Sequence, residues 1–155
     1  MNYRLYTPDD FAALYAIEEV CFQPPTRFSR SYMRQLVNSH DTTTWIAEEG
    51  GQMAGFAVVD WVDEADEIIG YIETLEVAPD RRRQGVAREL LRLIDGSARK
   101  ASVQHIWLHV DANNAGALRL YEANGHICEG REENYYPQGH AALIYCKTLE
   151  AKRSA

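Results

Sequence analysis

One stretch, residues 68–94, constrains the fold of this chain more than any other: IIGYIETLEVAPDRRRQGVARELLRLI. Its first ten residues are rich in β-branched and aromatic side chains, which is typical of a central strand. Pro79 cannot donate a ladder hydrogen bond and favours an extended residue before it, so we expect the strand to end there. After Gly85, apolar residues recur at spacings of three and four, which predicts a helix with one buried face.

The turn between these two elements is rich in arginine and contains one glycine. A helix that begins at Gly85 exposes unpaired N–H groups and the positive end of its dipole, which together favour phosphate. Gly85 and the small Ala87 would let a diphosphate approach the backbone without meeting a bulky side chain. The spacing fits neither G-x-G-x-x-G nor G-x-x-x-x-G-K-[ST], which argues against a Rossmann dinucleotide site and a Walker loop.

The segment 77–88, with Arg82-x-x-Gly85-x-Ala87 inside it, resembles the acyl-CoA pyrophosphate loop of the GNAT N-acetyltransferases. A surface turn rich in arginine for solubility would explain neither the glycine nor the strand-to-helix context. The resemblance implies acetyl-CoA as the cofactor, with its pantetheine along the backbones of Leu75 and Val77. The implied cofactor-binding set is Leu75, Glu76, Val77, Arg82, Arg83, Gln84, Gly85, Val86, Ala87 and Arg88.

The rest of the chain predicts strands and helices that complete this fold. We expect strands at residues 3–6, 42–48, 53–62, 105–110, 127–133 and 142–149, and helices at 8–21, 29–38 and 115–123, with an acidic solvated turn at 63–67. The order β-α-α-β-β-β-α-β-α-β-β is that of the GNAT fold, class α/β (α+β), with a central mixed, splayed sheet of six to seven strands and about four helices. We expect one domain over residues 1–150 and a frayed tail at 151–155.

In the second half of the chain the resemblance narrows to the RimI-type group, which acetylates the N-terminal alanine of a ribosomal protein. The matching segments are 114–125 (NAGALRLYEANG) and 134–137 (NYYP). The resemblance implies that Tyr121 protonates the coenzyme A sulfur and that Asn114 binds the cofactor. Seven residues separate the two, which places them on one helix face. On periodicity alone Tyr121 would instead be a core aromatic.

Two residues compete for the role of catalytic base. His109 occupies the strand position where the RimI-type group has a glutamate, and a histidine can take up a proton near neutral pH. Glu73 lies within the central strand, where a carboxylate is costly unless it is paired or functional. Strict alternation predicts that Glu73 shares a face with Leu75 and Val77, and that Glu76 faces the opposite side, towards substrate or solvent. The sequence does not decide between Glu73 and His109.

Composition limits the partners. The 155 residues carry a net charge of −7, which argues against nucleic acid. The three cysteines are sparse and include no C-x-x-C, so we expect reduced thiols, no metal site and, with none of them in the proposed site, no covalent acyl-enzyme. No apolar run approaches about 18 residues and there is no secretion signal, so we expect no membrane association and a cytoplasmic location.

The leading hypothesis is an acetyl-CoA-dependent N-acetyltransferase that acts by direct ternary-complex transfer on a protein N-terminal α-amine. The acceptor groove would lie between residues 22–28 and Tyr135, Tyr136 and Pro137. An open groove there favours a peptide, whereas a closed acidic pocket favours a small amine such as a polyamine, amino acid or aminoglycoside. A third hypothesis is a non-catalytic acyl-CoA-binding interaction module. The sequence is compatible with a monomer or a homodimer.

Overall fold

The computed structural model describes residues 1–150, so the tail at 151–155 lies outside the described residues. Within them, seven strands and four α-helices follow the expected order. The strands are β1 (Asn2–Leu5), β2 (Thr42–Glu49), β3 (Gln52–Glu64), β4 (Glu67–Val77), β5 (His105–Asp111), β6 (Ile127–Glu132) and β7 (Ala142–Thr148). The helices are α1 (Phe11–Cys21), α2 (Arg30–Asn38), α3 (Val86–Lys100) and α4 (Ala115–Ala123).

The strands form one sheet in the order β1-β2-β3-β4-β5-β7-β6. All neighbours are antiparallel except β4 and β5, which are parallel and pair only at Gly70 with Ile106 and at Tyr71 with Trp107. Beyond Tyr71 the two strands diverge, while β4 continues to Val77. The expected mixed, splayed sheet flanked by four helices is therefore confirmed.

Both faces of the sheet are covered. Leu90, Leu91 and Ile94 of α3 pack with inward residues of β3, β4 and β5. Helices α1 and α2 cover the opposite face, where Leu14 and Met33 pack against Phe56 and other residues of β2 and β3. Among residues 1–150, no helix combines the length and the apolarity that crossing a membrane would require.

The structure departs from the sequence-based expectations at two places in the β3–β4 hairpin. The acidic turn is shorter than expected, because Asp63 pairs with Ile68 and Glu64 with Glu67, which leaves a two-residue turn. In addition, β4 contains a bulge: Val58 pairs with Thr74 but Val59 pairs with Ile72, so Glu73 is the extra residue. A bulge interrupts the alternation of side chains, which changes the face that Glu73 presents.

Candidate active site

The gap between β4 and β5 opens into a pocket of about 730 Å³ that extends to the N-termini of α3 and α4. Such a volume is typical of pockets that hold a cofactor or another small molecule. Eleven of the residues expected to bind the cofactor line it: Leu75, Glu76, Val77, Arg82, Arg83, Gly85, Val86, Ala87, Arg88, Asn114 and Tyr121. The lining also includes Cys21, Phe22, Arg81, Gly116, Ala117, Arg119 and Leu120.

The N-terminus of α3 forms one end of this pocket and has the backbone features of an anion site. Gly85 is the N-cap residue at φ 80°, and no side chain caps the helix. Arg83 is also left-handed, at φ 63°. Left-handed residues in such a turn direct backbone N–H groups into a concave surface that binds anions. A Cβ built on Gly85 would meet no atom within 4 Å, so the space beside it is open to a ligand.

Arg82 is directed along the pocket wall towards the end of β4. Its Nε donates to the Val77 carbonyl at 3.2 Å, and its Nη2 lies 3.5 Å from the Cys21 sulfur. The thiol of Cys21 also contacts the Val77 carbonyl, at 3.7 Å. The Val77 carbonyl is therefore engaged within the chain, which leaves the remaining backbone groups on the β5 side of β4 for a ligand.

The position of Cys21 corrects the expectation that no cysteine lies in the site. Cys21 lines the pocket because α1 ends beside the C-terminal end of β4, a contact that sequence spacing does not reveal. Burial, followed by the charge of Glu76, raises the pKa of this thiol above its ordinary value. A thiol is nucleophilic only as the thiolate, so this environment disfavours an acyl-cysteine intermediate.

Tyr121 closes the inner end of the pocket. Its side chain is buried, and burial raises the pKa of its phenol to about 12. The His126 ring meets it edge-on with centroids 5.6 Å apart, and burial lowers the pKa of His126 to about 4, so this neighbour is uncharged at neutral pH. Asn114 lies two turns earlier and accepts a hydrogen bond from the Ala117 amide at 3.1 Å, capping α4. The phenol of Tyr121 is thus protonated at neutral pH and lies beside the pocket.

His109 lies on the α1–α2 side of the sheet in a chain of hydrogen bonds. Its Nε2 is 3.1 Å from Glu132 Oε1, and its Nδ1 is 2.7 Å from the Tyr71 hydroxyl. A carboxylate can only accept, so Nε2 of the neutral ring carries the hydrogen and Nδ1 accepts from Tyr71. Tyr135 stacks on the imidazole with centroids 4.5 Å apart. The chain Tyr71–His109–Glu132 can move a proton away from the gap between the strands.

Glu73 lies on this same side of the sheet, contrary to the expectation that it shares a face with Leu75 and Val77. The bulge turns the Glu73 side chain towards Asp60. Asp60 lies on the same face of β3 as Phe56 and Val58, which pack under α1 and α2. Burial, followed by the charge of Asp60, raises the pKa of Glu73 to about 7. Two adjacent half-buried carboxyls attract a cation.

Glu76 faces away from Leu75 and Val77, as expected, but its carboxyl reaches neither substrate nor solvent. It is 3 % exposed and accepts a hydrogen bond from the Thr74 hydroxyl at 2.7 Å. Burial, followed by the neighbouring Glu18 carboxyl, raises the pKa of Glu76 to about 10. Helix α1, which supplies Glu18, covers this end of β4 and excludes water from it.

The two segments expected to form the acceptor groove approach each other over this face. Thr26, between α1 and α2, donates to Gln138 of the β6–β7 connection at 3.4 Å. Tyr136 meets the Tyr135 ring edge-on at 4.9 Å. The Thr26–Gln138 contact therefore joins the two expected walls of the groove.

The pocket and this face together account for most of the sequence-predicted site residues. Gln84 belongs to the arginine-rich loop but does not line the pocket, and Glu73 and His109 lie across the sheet from it. Sequence reasoning missed Tyr71 and Glu132, which bracket His109. Tyr71 could have been found from the sequence, since it lies two residues before Glu73 on the same strand. Glu132 has none, because it is brought to His109 across β7.

Comparison with known proteins shows the family to which the chain is related. The model of the family described as "Acetyltransferase (GNAT) family" matches residues 11–126. The [Ribosomal protein bS18]-alanine N-acetyltransferase of Escherichia coli K12 is 39% identical over 90 residues, which span 57% of this chain and 57% of that enzyme. The catalytic subunit NAA10 of the N-terminal acetyltransferase A complex of Arabidopsis thaliana is 27% identical over 154 residues, or 97% of this chain and 79% of that protein.

Solved structures resemble the chain over nearly its full length. The crystal structure of the ribosomal-protein-S18-alanine N-acetyltransferase from Escherichia coli superposes with a TM-score of 0.85 at 28% identity, and the match covers 99% of this chain and 96% of that one. The overall fold is thus shared with a ribosomal-protein-S18-alanine N-acetyltransferase.

Proposed function

This chain belongs to the GNAT family of acetyltransferases, and from that premise we propose that it transfers the acetyl group of acetyl-CoA to the α-amine of a protein N-terminus. The observation that carries the proposal is the divergence of β4 from β5 beside the uncapped N-terminus of α3. The similarity of this chain to two kinds of N-terminal acetyltransferase supports a protein N-terminus as the acceptor. We further propose that residues 1–150 form one acetyltransferase domain.

The pocket fits acetyl-CoA in three respects. The open space beside Gly85 and the amides of the first turn of α3 would bind the diphosphate. The backbone of β4 facing the gap would pair with the pantetheine arm, and Arg83 and Arg88 supply positive charge at the rim. Acetyl-CoA, when bound, supplies the activated acetyl group as a thioester.

The side chains around the gap supply the two proton transfers that the reaction needs. As the amine nitrogen bonds to the acetyl carbon and the carbon–sulfur bond breaks, the amine must lose a proton and the thiolate must gain one. We assign Tyr121 as the donor to sulfur, since burial keeps its phenol protonated. We assign His109 as the acceptor of the amine proton, through Tyr71, with Glu132 stabilising the imidazolium.

Glu73 and Asp60 have a different proposed role, which is to attract the acceptor as its ammonium ion. An α-amine has a pKa near 8, so its deprotonation at neutral pH costs little. A side-chain or polyamine nitrogen, with a pKa above about 10, would demand more of the base. The site thus favours an α-amine, and the acetyl transfer is direct because the Cys21 thiol is held neutral.

A small amine is the second candidate acceptor, because the Thr26–Gln138 contact narrows the approach to His109. The deciding experiment presents a panel of N-terminal peptides, including alanine-initiated ones, and a panel of small amines, and follows thiol release from acetyl-CoA. We expect peptides to be acetylated with kcat/KM at least about tenfold above that of any small amine. Turnover confined to small amines would contradict the peptide assignment, and no turnover with either panel would favour a non-catalytic acyl-CoA-binding module.

A further inference from the structure

Glu18 of α1 and Glu76 of β4 are neighbouring carboxyl groups in the interior, within hydrogen-bonding reach of each other. Glu18 is 1 % exposed and Glu76 is 3 % exposed. Each uses one oxygen in an identified hydrogen bond: Glu18 Oε2 accepts from the Phe28 amide at 3.0 Å, and Glu76 Oε2 accepts from the Thr74 hydroxyl at 2.7 Å. The other oxygen of each, Oε1, is fully buried and has no partner among the described residues.

Within residues 1–150, no cationic side chain pairs with either carboxyl to neutralise two negative charges. Arg82 lies on the pocket side of Cys21 and is committed to the Val77 carbonyl and the Cys21 sulfur. Opposite Glu76 on β3 is Phe56, which is apolar. The Cys21 thiol also lies beside the pair and is held neutral, because burial raises its pKa. Two buried carboxylates without a cation cannot both ionise, whereas one proton between their free oxygens satisfies both.

The pair joins the segments that would hold the two substrates. Helix α1 carries Cys21 and leads into Phe22, both of which line the acyl-CoA pocket. Through the Phe28 amide, Glu18 also fixes the end of the loop at residues 22–28, which would form one wall of the acceptor groove. Glu76 lies in the stretch of β4 that faces the pocket.

We propose that Glu18 and Glu76 share one proton, and that the resulting hydrogen bond positions α1 and the 22–28 loop against β4. The pair touches neither substrate, so both glutamates are positioning residues. Their effect on acyl-CoA binding rests on the proposed function, whereas the shared proton does not. Removal of the proton at alkaline pH leaves two adjacent charges, which separates α1 from β4 and opens the pocket.

The test uses isosteric amides. In Glu76→Gln or Glu18→Gln, an amide N–H replaces the shared proton and cannot be lost. Glu19→Gln, at the exposed neighbouring position on α1, is the matched control. Binding of a thioether analogue of acetyl-CoA, which neither hydrolyses nor ionises at sulfur, is measured by calorimetry at about pH 7 and about pH 10. We expect Kd to rise at least about fivefold for the wild type and Glu19→Gln, and less than about twofold for the two amide variants.

An equal rise in Kd for all four proteins, or no rise in any, would overturn the positioning role. A second measurement tests whether Glu18 and Glu76 hold a shared proton. At about pH 8.5 the infrared spectrum of the wild type and of Glu19→Gln should contain the carbonyl band of a buried protonated carboxyl, and this band should vanish in both amide variants. A wild-type spectrum without the band would refute the shared proton. Wild-type protein that has the band but binds no analogue would instead overturn the proposed function, and the positioning role with it.

Discussion

Tyr121 gives the sharpest prediction at the scale of single residues. Tyr121→Phe keeps the ring against His126 and removes only the proton donor, so the acetyl-CoA Kd should stay within about twofold while kcat falls about 100-fold. Tyr145→Phe is the matched control, because that phenol is also buried but donates to Glu122, away from the pocket. Stopped-flow or steady-state thiol release measures kcat. Unchanged turnover in Tyr121→Phe would remove the acid assignment.

His109 and Glu73 can be separated by which kinetic constant each one changes. His109→Asn removes the proposed proton acceptor and should lower kcat about 100-fold. Glu73→Gln removes charge that attracts the ammonium ion and should raise the acceptor KM about fivefold with little change in kcat. His105→Asn, on the same strand and face as His109, is the control.

The pH profile adds an independent test of the same assignment. Because the pKa of Glu73 is raised to about 7, a reaction that used its carboxylate as the base would lose activity as pH falls through about 7. If that acidic limb disappears in Glu73→Gln while His109→Asn retains normal kcat, the roles of the two residues are reversed.

The sequence predicted the positions of the candidate site residues well where the signal is local, and poorly where it depends on contacts across the sheet. Asn114 and Tyr121 are seven residues apart on one helix, so their shared position in the pocket follows from the helical repeat. The face of Glu73 did not follow, because a bulge shifts the alternation and no residue of β4 marks it. Cys21 and Glu132 reach the site through packing between distant elements, which spacing alone does not encode.

Among the elements, the β6–β7 connection carries a prediction about the acceptor. Tyr135 stacks on His109, so Tyr135→Ala should loosen the groove wall and the imidazole together. Stacked aromatic pairs contribute about 0.5–1.5 kcal/mol, which corresponds to an increase in acceptor KM of about twofold to thirteenfold. The acetyl-CoA Kd should not change. Glu133→Ala, at an exposed position of the same connection, serves as the control. A change in Tyr135→Ala that is confined to the acetyl-CoA Kd would instead place Tyr135 on the acetyl-CoA side of the site.

Helices and strands were predictable because apolar periodicity, Pro79 and Gly85 mark their limits locally. The parallel pairing of β4 with β5 was predictable only through resemblance to a known family. The β4–β5 pairing ends after Tyr71, which leaves the β5 side of β4 unpaired from there to Val77 while its other side stays paired with β3. This early end is a property of tertiary structure that spacing along the chain does not encode. The contact of Thr26 with Gln138 was not predictable, since 112 residues separate the two.

At the scale of the whole molecule, the buried Glu76 predicts how stability depends on pH. Its pKa is about 10 in the folded state and near 4.5 when unfolded, so the folded state retains a proton that the unfolded state releases. Stability therefore falls as pH rises from about 4.5 to about 10, by up to about 1.4 kcal/mol per pH unit. The Glu76→Gln variant has no proton to lose at this position, so its stability lacks this dependence on pH. Glu73 is present in both the wild type and the variant, so its own titration changes the stability of both equally.

Urea denaturation at about pH 6 and about pH 8 measures this effect. The free energy of unfolding of the wild type, relative to that of Glu76→Gln, should fall by about 2.7 kcal/mol between the two values. Parallel dependence on pH in the two proteins would show that Glu76 is ionised in the folded state.

The central claim is that the pocket between β4, β5 and the N-terminus of α3 binds acetyl-CoA, and calorimetric titration of acetyl-CoA tests it most directly. In Gly85→Glu the carboxylate enters the space where the diphosphate would lie, so affinity should fall at least about 100-fold. Arg82→Ala should only weaken binding, and Gly50→Glu, left-handed at φ 60° in the distant β2–β3 turn, controls for backbone strain. Equal and tight binding by the wild type, Gly50→Glu and Gly85→Glu would contradict the account.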